Sequence, residues 1–380
     1  MDVRGSTVMK RSRGDSEVGT VPSHMSALVY RGTGTLAVET IPVPRIGSHE
    51  VLVRVEACGV CPTDIKKIRR DLLPPPRIYG HETAGVIVRV GGSVRGFHPG
   101  DRVALHHHVP CLDCHFCRRR AFAQCSGYRV TGITAGFEPA GGGFSEYVCV
   151  KRGCLPGMVR IPEGVSFAEA ALQEPVNTVL KAVNLLGVVP GDHVLVVGQG
   201  PIGLLFNRLL ALRGASVSAC DPLELRCRIG KRFGARRTFP AMEVIEDPVK
   251  RMTRGRGLDA VVLAAPSDPA FCQAQNLVRG GGAILVFAHT VRGNATPVDL
   301  GKVCVDEQRI LGSYSSDFTL QDEVARLVFS RTLDVRPLIT HRYPLTDAAA
   351  AIDRAATPSA DTLKVVVEPW LVGAAGRRRS

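Results

Sequence analysis

Four cysteines fall at Cys111, Cys114, Cys117 and Cys125, in the pattern Cys-x2-Cys-x2-Cys-x7-Cys. Four thiolates in one short loop can close a tetrahedral shell around a zinc ion and leave no open position, which marks a structural site. An iron–sulfur cluster uses the same ligand type. Arg118, Arg119 and Arg120 follow directly and would offset part of the negative charge of such a centre. The grouping favours metal binding in a reducing compartment over a disulfide framework, so the cytoplasm is the expected location.

A second set of donors is spread along the chain. Cys61 lies in Gly59-Val60-Cys61-Pro62-Thr63-Asp64. His81 and Glu82 lie in Gly80-His81-Glu82, and Glu174 lies in Leu172-Gln173-Glu174-Pro175. A catalytic zinc takes three protein ligands and keeps a position open for water or substrate. Taken singly, each residue is ordinary: a lone buried Cys is usually a small core residue. Their combination is what points to a metal centre.

Gly198-Gln199-Gly200-Pro201-Ile202-Gly203 matches Gly-x-Gly-x-x-Gly. Alone the string says little. Here it follows a strand-like run, His193 to Val197, and opens a helical stretch from Ile202 to Leu212. Asp221 lies 18 residues after Gly203, at the end of the next strand-like run. That context is the dinucleotide fingerprint. Glycines let backbone approach a pyrophosphate, and the helix N-terminus offers it free N–H groups. Asp221 would accept from the adenosine ribose hydroxyls and repel a 2′-phosphate, favouring NAD over NADP.

Two textures of chain must position these groups. Residues 26–155 are short apolar runs broken by Gly, Pro and His, among them Val51–Val55 and Ala84–Val90, and predict a β-rich unit. From about 176, strand-like runs at 193–197, 216–220, 260–264 and 283–287 alternate with helical stretches at 202–212, 224–233 and 270–278. Such alternation predicts a doubly wound parallel sheet covered by helices, hence an α/β fold class. A helix at 320–330 and a strand at 364–367 follow. With 380 residues, two domains are expected. A composition of 45% hydrophobic and 22% charged residues fits a globular protein. No apolar run reaches the roughly 18 residues that span a bilayer. The net charge of +13 can attract anionic partners, but aromatic residues are only 5% of the chain and no nucleic-acid motif is present. Residues 1–25 and 371–380 read as tails, the second a basic one. Met25 is a second candidate start.

Together these motifs resemble the zinc-dependent medium-chain dehydrogenases over roughly residues 26–370. Four features carry the resemblance, in the family's order: the Cys-x-Thr-Asp segment at Cys61, the Gly-His-Glu motif at His81, the four-cysteine lobe and the Gly-x-Gly-x-x-Gly turn. The resemblance implies a β-rich GroES-like catalytic domain at 26–176 and 315–370, with a Rossmann NAD-binding domain at 177–314 between its parts. It implies two zinc ions per chain, one catalytic and one structural, and NAD as cofactor. Cys61 and His81 would bind the catalytic zinc. Thr63 would pass the alcohol proton outward, and Asp64 would steady His81. Glu82 or Glu174 would ligate directly or through water, as in the sorbitol, glucose and threonine dehydrogenase branches.

One departure is Lys66, where many members carry the histidine that ends the proton relay. A lysine relays poorly unless burial depresses its pKa. The relay then ends in solvent or on a cofactor hydroxyl, or Lys66 meets a cofactor phosphate instead. His106-His107-His108 stands where the family lines its substrate pocket. His107 is a candidate to bond a substrate hydroxyl, but strand alternation, with the imidazoles facing solvent or filling space, is the favoured expectation. The expected function is hydride transfer between NAD and a secondary alcohol of a polyol, sugar or cyclitol. Amino-alcohol oxidation of the threonine dehydrogenase kind is the alternative. A basic zinc protein binding nucleic acid through its tails is a third, which the cofactor fingerprint opposes. A zinc-free quinone reductase shares the fold and is opposed by Cys61, His81 and the cysteine lobe. The expected partners are a small-molecule alcohol and further copies of the chain, as homodimer or homotetramer, with no specific nucleic acid and no membrane.

Overall fold

The turn-rich first part of the chain forms the β-structure its short apolar runs predict. The computed structural model describes residues 20–127, 142–288, 293–357 and 359–372, so most of both expected tails lies outside the described residues. Strands β1 (His24–Gly32) and β2 (Thr35–Pro42) form a hairpin. β1 begins inside the stretch expected to be tail, and Met25 is buried in the first core cluster. β3 (Val51–Gly59), helix α1 (Pro62–Arg69), β4 (Arg77–Ile78), β5 (Glu82–Val90) and β6 (Arg102–Ala104) follow. Next come α2 (His115–Arg118) in the cysteine loop, β7 (Tyr147–Val150) and β8 (Val159–Arg160).

A short helix, α3 (Phe167–Ala171), starts at a capping box in which Ser166 and Glu169 satisfy each other's backbone N–H. Helix α4 (Gln173–Leu186) then carries the chain into the second unit and ends at Gly187 in the left-handed conformation. The expected division after 176 falls inside α4.

Strand and helix then alternate, with β11, α7, α9 and β14 added to the expected elements: β9 (His193–Val197), α5 (Pro201–Leu212), β10 (Ser216–Cys220), α6 (Glu224–Arg232), β11 (Arg237–Phe239), α7 (Glu246–Thr253), β12 (Leu258–Leu263), α8 (Asp268–Leu277), β13 (Val278–Val286), α9 (Leu300–Cys304) and β14 (Arg309–Gly312). All pairs are parallel, in the order β11-β10-β9-β12-β13-β14. This is the doubly wound order that reverses beside its first strand, where dinucleotides bind. Val194 to Val197 are all buried, as strands covered on both faces require.

α10 (Gln321–Phe329), β15 (Ile339–Tyr343), α11 (Ala348–Ala356) and β16 (Lys364–Val367) return the chain to the first unit. β16 pairs with β3, giving the order β15-β16-β3-β5-β6-β8 with β7 also on β3. Val324, Val328 and Leu338 nevertheless pack in the core that covers β9, so α10 belongs by packing to the parallel sheet. Among the described residues, no helix is long and apolar enough to cross a membrane.

Candidate active site and metal centres

Strands β3 and β5 pair antiparallel with Gly59 opposite Glu82. That register brings the end of one strand beside the start of the other. Cys61 follows Gly59 and His81 precedes Glu82, so residues far apart in sequence meet at one end of the sheet. Donor atoms of Cys61, His81 and Glu82 lie within 4.8 Å of one another. Cys61 is the N-cap of α1, and its Sγ accepts from Thr63 N at 3.4 Å. Pro62 takes the first helical position, where a missing N–H costs nothing.

His81 Nδ1 lies 3.0 Å from Asp64 Oδ1. With the Nδ1 proton given to that carboxylate, Nε2 keeps its lone pair for a metal. Burial works against charge on His81, but Asp64 and Cys61 outweigh it and raise its pKa well above the usual value. Burial also opposes charge on Asp64, and there His81 prevails and holds the carboxyl below its usual range.

Glu82 has a partner that sequence reasoning missed. Lys364 Nζ donates to its two carboxylate oxygens at 2.7 and 2.8 Å and to Val60 O at 3.2 Å. Lys364 is 4% exposed and Glu82 1%. The strand run Lys364–Val367 was visible in sequence, but nothing in it shows that its lysine turns inward. Gly59 makes the pair possible, since a Cβ there would sit 2.0 Å from Glu82 Oε2.

Glu174 sits in the first turn of α4, outside the trio, with Oε1 3.4 Å from His107 Nδ1. Burial pushes its carboxyl up to about 7. The alternation expected at 106–108 does not occur, because β6 ends at Ala104 and the chain leaves the sheet. His106 and His107 are both buried, at 1% and 5% exposure. The His107 ring centroid is 5.2 Å from that of His81. His107 therefore borders the trio. Thr63 and Lys66 are partly buried on α1.

The donor set fits zinc: one sulfur, one imidazole nitrogen and carboxylate oxygen, with His81 oriented from behind by Asp64. The cysteine loop fits a second, closed site. Its Sγ–Sγ distances are 3.5 Å for Cys114–Cys117 and Cys111–Cys125 and 3.8 Å for Cys111–Cys117. Zinc–sulfur bonds of about 2.3 Å in a tetrahedron put sulfurs about 3.8 Å apart. Backbone N–H groups of Asp113 and Cys114 pull Cys111 down to about 6, while desolvation pushes Cys117 up to about 12. Arg118 and Arg119 turn to Asp113 and His115 on the loop's own surface.

At the cofactor turn, Gly198 has φ +91° and Gly200 caps α5, with Pro201 at its first position and Ile202 partly buried after it. A Cβ on Gly203 would sit 1.8 Å from Gly198 O, so only glycine lets the helix pack on the turn. A Cβ on Gly200 would meet nothing within 4 Å, so that side of the turn is open. Asp221 directly follows β10, where Oδ2 accepts from Gln199 N at 2.8 Å and Oδ1 from Leu223 N at 2.9 Å. The acid thus ties the glycine turn to the start of α6.

Comparison with known proteins gives the following matches. Residues 47–163 match the family model described as alcohol dehydrogenase GroES-like domain, and residues 201–330 the one described as zinc-binding dehydrogenase. The chain is 31% identical to a sorbitol dehydrogenase of Bacillus subtilis (strain 168), over 92% of this chain and 99% of that one. It is 30% identical to an L-threonine 3-dehydrogenase of Anaeromyxobacter sp. (strain Fw109-5), over 87% and 95%. A zinc-binding dehydrogenase structure from Sinorhizobium meliloti 1021, bound to NADP, superposes with a TM-score of 0.82 at 28% identity, covering 92% of this chain and all of that one.

Proposed function

This chain belongs to the zinc-dependent medium-chain dehydrogenases, an alcohol and polyol oxidoreductase family, and we propose that it oxidises a secondary alcohol of a polyol, sugar or cyclitol with NAD. When bound, zinc supplies Lewis acidity toward the alcohol oxygen and NAD takes the hydride.

The chain's own residues divide the remaining work. Cys61, His81 and Glu82 hold the catalytic zinc, with Lys364 keeping Glu82 in place and Asp64 fixing the His81 tautomer. Thr63, two residues after Cys61 on the first turn of α1, takes the alcohol proton outward. Glu174 and His107 lie beside the trio and face the further hydroxyls of the substrate. Cys111, Cys114, Cys117 and Cys125 hold the structural zinc. The open turn at Gly198, Gly200 and Gly203 seats the pyrophosphate on the N-terminus of α5. Asp221 selects NAD over NADP by its charge. The catalytic domain comprises 26–176 and 315–370 and the cofactor domain 177–314, with α10 of the catalytic return segment packed on the cofactor domain's sheet. None of the twelve cysteines is in a disulfide, which suits the cytoplasm. The working form is a homo-oligomer.

One observation carries the substrate class: His107 and Glu174, both buried polar groups, stand beside Cys61 and His81. Both groups can bond hydroxyls, so a polyhydroxylated substrate offers them more contacts than a simple alcohol does. The same carboxylate favours a second reading, because Glu174 would also pair with the ammonium of an amino alcohol. The test is a steady-state panel of sorbitol, arabinitol, inositol, L-threonine and ethanol with NAD and with NADP, on protein of measured zinc content. Polyol turnover with NAD at least about tenfold above L-threonine and NADP is expected. Turnover led by L-threonine replaces the first reading with the second, and turnover of ethanol alone removes both.

A further inference from the structure

Gln321 opens α10 on the return path from the parallel sheet, yet its side chain reaches into the wall of the alcohol site. Its Oε1 accepts from Asn177 Nδ2 at 3.1 Å and lies 3.1 Å from His106 Nδ1. Its Nε2 donates to Gln173 Oε1 at 3.1 Å. An amide oxygen only accepts, so His106 carries its proton on Nδ1, and its Nε2 accepts from the Ser316 hydroxyl at 3.3 Å. Asn177 holds the same crossover, donating to Asp317 O at 3.0 Å and accepting from Asp317 N at 2.8 Å. His106, Gln173, Asn177, Ser316 and Gln321 are all buried.

Two of the three residues that Gln321 bonds, His106 and Gln173, are next in sequence to residues that border the metal centre. His106 precedes His107, and Gln173 precedes Glu174. His107 and Glu174 approach to 3.4 Å, and His107 packs on His81. Past Leu105, whose N donates to Thr83 O at 2.9 Å, no strand pairing among the described residues holds the histidine loop at its height above the site. The bridge supplies that constraint.

We propose that Gln321 is a positioning residue: its amide sets the spacing between the histidine loop and the first turn of α4, and so holds the His107–Glu174 pair against the Cys61–His81 centre. The inference rests on the reading of that cleft as the alcohol site.

The test compares four variants. Gln321→Leu keeps volume and removes the bridge. Gln321→Asn keeps an amide but is one methylene too short to span both partners. Gln321→Glu keeps the Oε1 acceptor and replaces the Nε2 donor with a second oxygen; because Gln173 Nε2 has no partner among the described residues, that amide can turn round and donate to the new carboxylate. Val328→Ala, in the core on the same helix, is the stability control.

With sorbitol and NAD, Gln321→Leu and Gln321→Asn are expected to lower kcat about tenfold to a hundredfold, with zinc content kept and KM for NAD within about twofold. Gln321→Glu is expected to recover kcat to within about threefold of wild type while its Tm stays low. Val328→Ala should lower Tm and leave kcat unchanged. If kcat simply follows Tm across all four, Gln321 is structural only and the proposal is overturned. A second readout needs no turnover: histidine 15N spectra of the zinc-loaded protein. His107 ring signals should move in Gln321→Leu and return in Gln321→Glu. Unmoved His107 signals overturn the positioning role, whereas wild type idle on every alcohol with those shifts present overturns the substrate reading alone.

Discussion

Glu82 keeps a negative charge in the interior through one ammonium, Lys364, at 2.7 and 2.8 Å. A buried pair of this kind contributes little beyond a well-packed apolar pair, but removing one member strands the other, at a cost of about 3–5 kcal/mol. Lys364→Met should therefore destabilise the metal-free protein by about that amount in urea unfolding. Adding Glu82→Gln should return a large part of it, because the carboxylate left behind, not the lost contact, is the damage. Equal destabilisation by the single and double variants would show that Lys364 acts through packing alone. This pair also marks how far single residues are legible. Cys61, His81 and the four cysteines announce themselves because their spacing is local and their chemistry narrow. Lys364 does not: its partner is 282 positions away, and a lysine at the end of an apolar strand reads equally well as a side chain reaching for water. The histidines at 106 and 107 misled for a related reason. Whether they alternate depends on where β6 stops, and no residue type in Ala104-Leu105-His106 announces that stop.

At the scale of elements, the cofactor turn depends on how closely α5 packs on the end of β9. A methyl at 203 would sit 1.8 Å from Gly198 O, so Gly203→Ala must push the helix N-terminus away from the pyrophosphate position. The expected result is a KM for NAD raised at least about tenfold, with both zinc ions retained; an unchanged KM would mean the turn yields at no cost. The opposite end of the same sheet offers a control with a pH signature. Asp259, near the start of β12, accepts from His193 N at 2.7 Å and from Arg279 Nε at 2.7 Å, with Arg256 at 3.2 Å. Burial alone would raise its pKa, but the Arg279 bond, the His193 amide and Arg256 outweigh it and lower it below 3.8. A depressed carboxyl stabilises the fold above its unfolded value and loses that contribution as pH falls through the folded one. Asp259→Asn should thus cost about 1.5–3 kcal/mol at pH 7, and the gap to wild type should narrow below about pH 4, with kcat untouched. A gap that does not narrow at all as pH falls below about 4 would assign the effect to packing. The four central strands of this sheet were legible, since buried parallel strands leave continuous apolar runs such as Val194–Val197, whereas the edge strands β11 and β14 and helices α7 and α9 were not. Helix α4 was not. Pro175 reads as a breaker in Glu174-Pro175, yet at the third helical position its missing N–H is one that the first turn leaves unpaired anyway.

For the whole molecule, the unanswered surface is the outer edge of the parallel sheet. β14 ends the strand order, so its second row of backbone N–H and C=O groups has no strand partner among the described residues. Apolar side chains on β14 and in the segment before it are exposed: Leu300 is 73% exposed, Val305 80% and Ile310 40%. A bare edge flanked by apolar residues invites pairing with another copy, and a two-fold axis through that edge satisfies both chains with the same residues. The formal charge of +13 opposes association, but repulsion between distant exposed charges is screened over about 8 Å at physiological salt, while the edge contact is short-ranged. The wild-type protein should sediment as a dimer or tetramer at micromolar concentration. Ile310→Lys places a charge on the edge strand and should shift the mass toward the monomer, with zinc content unchanged because both metal centres lie in the other unit. A wild-type monomer under those conditions would remove self-association through β14, and an Ile310→Lys variant that stays oligomeric would move the interface to another face.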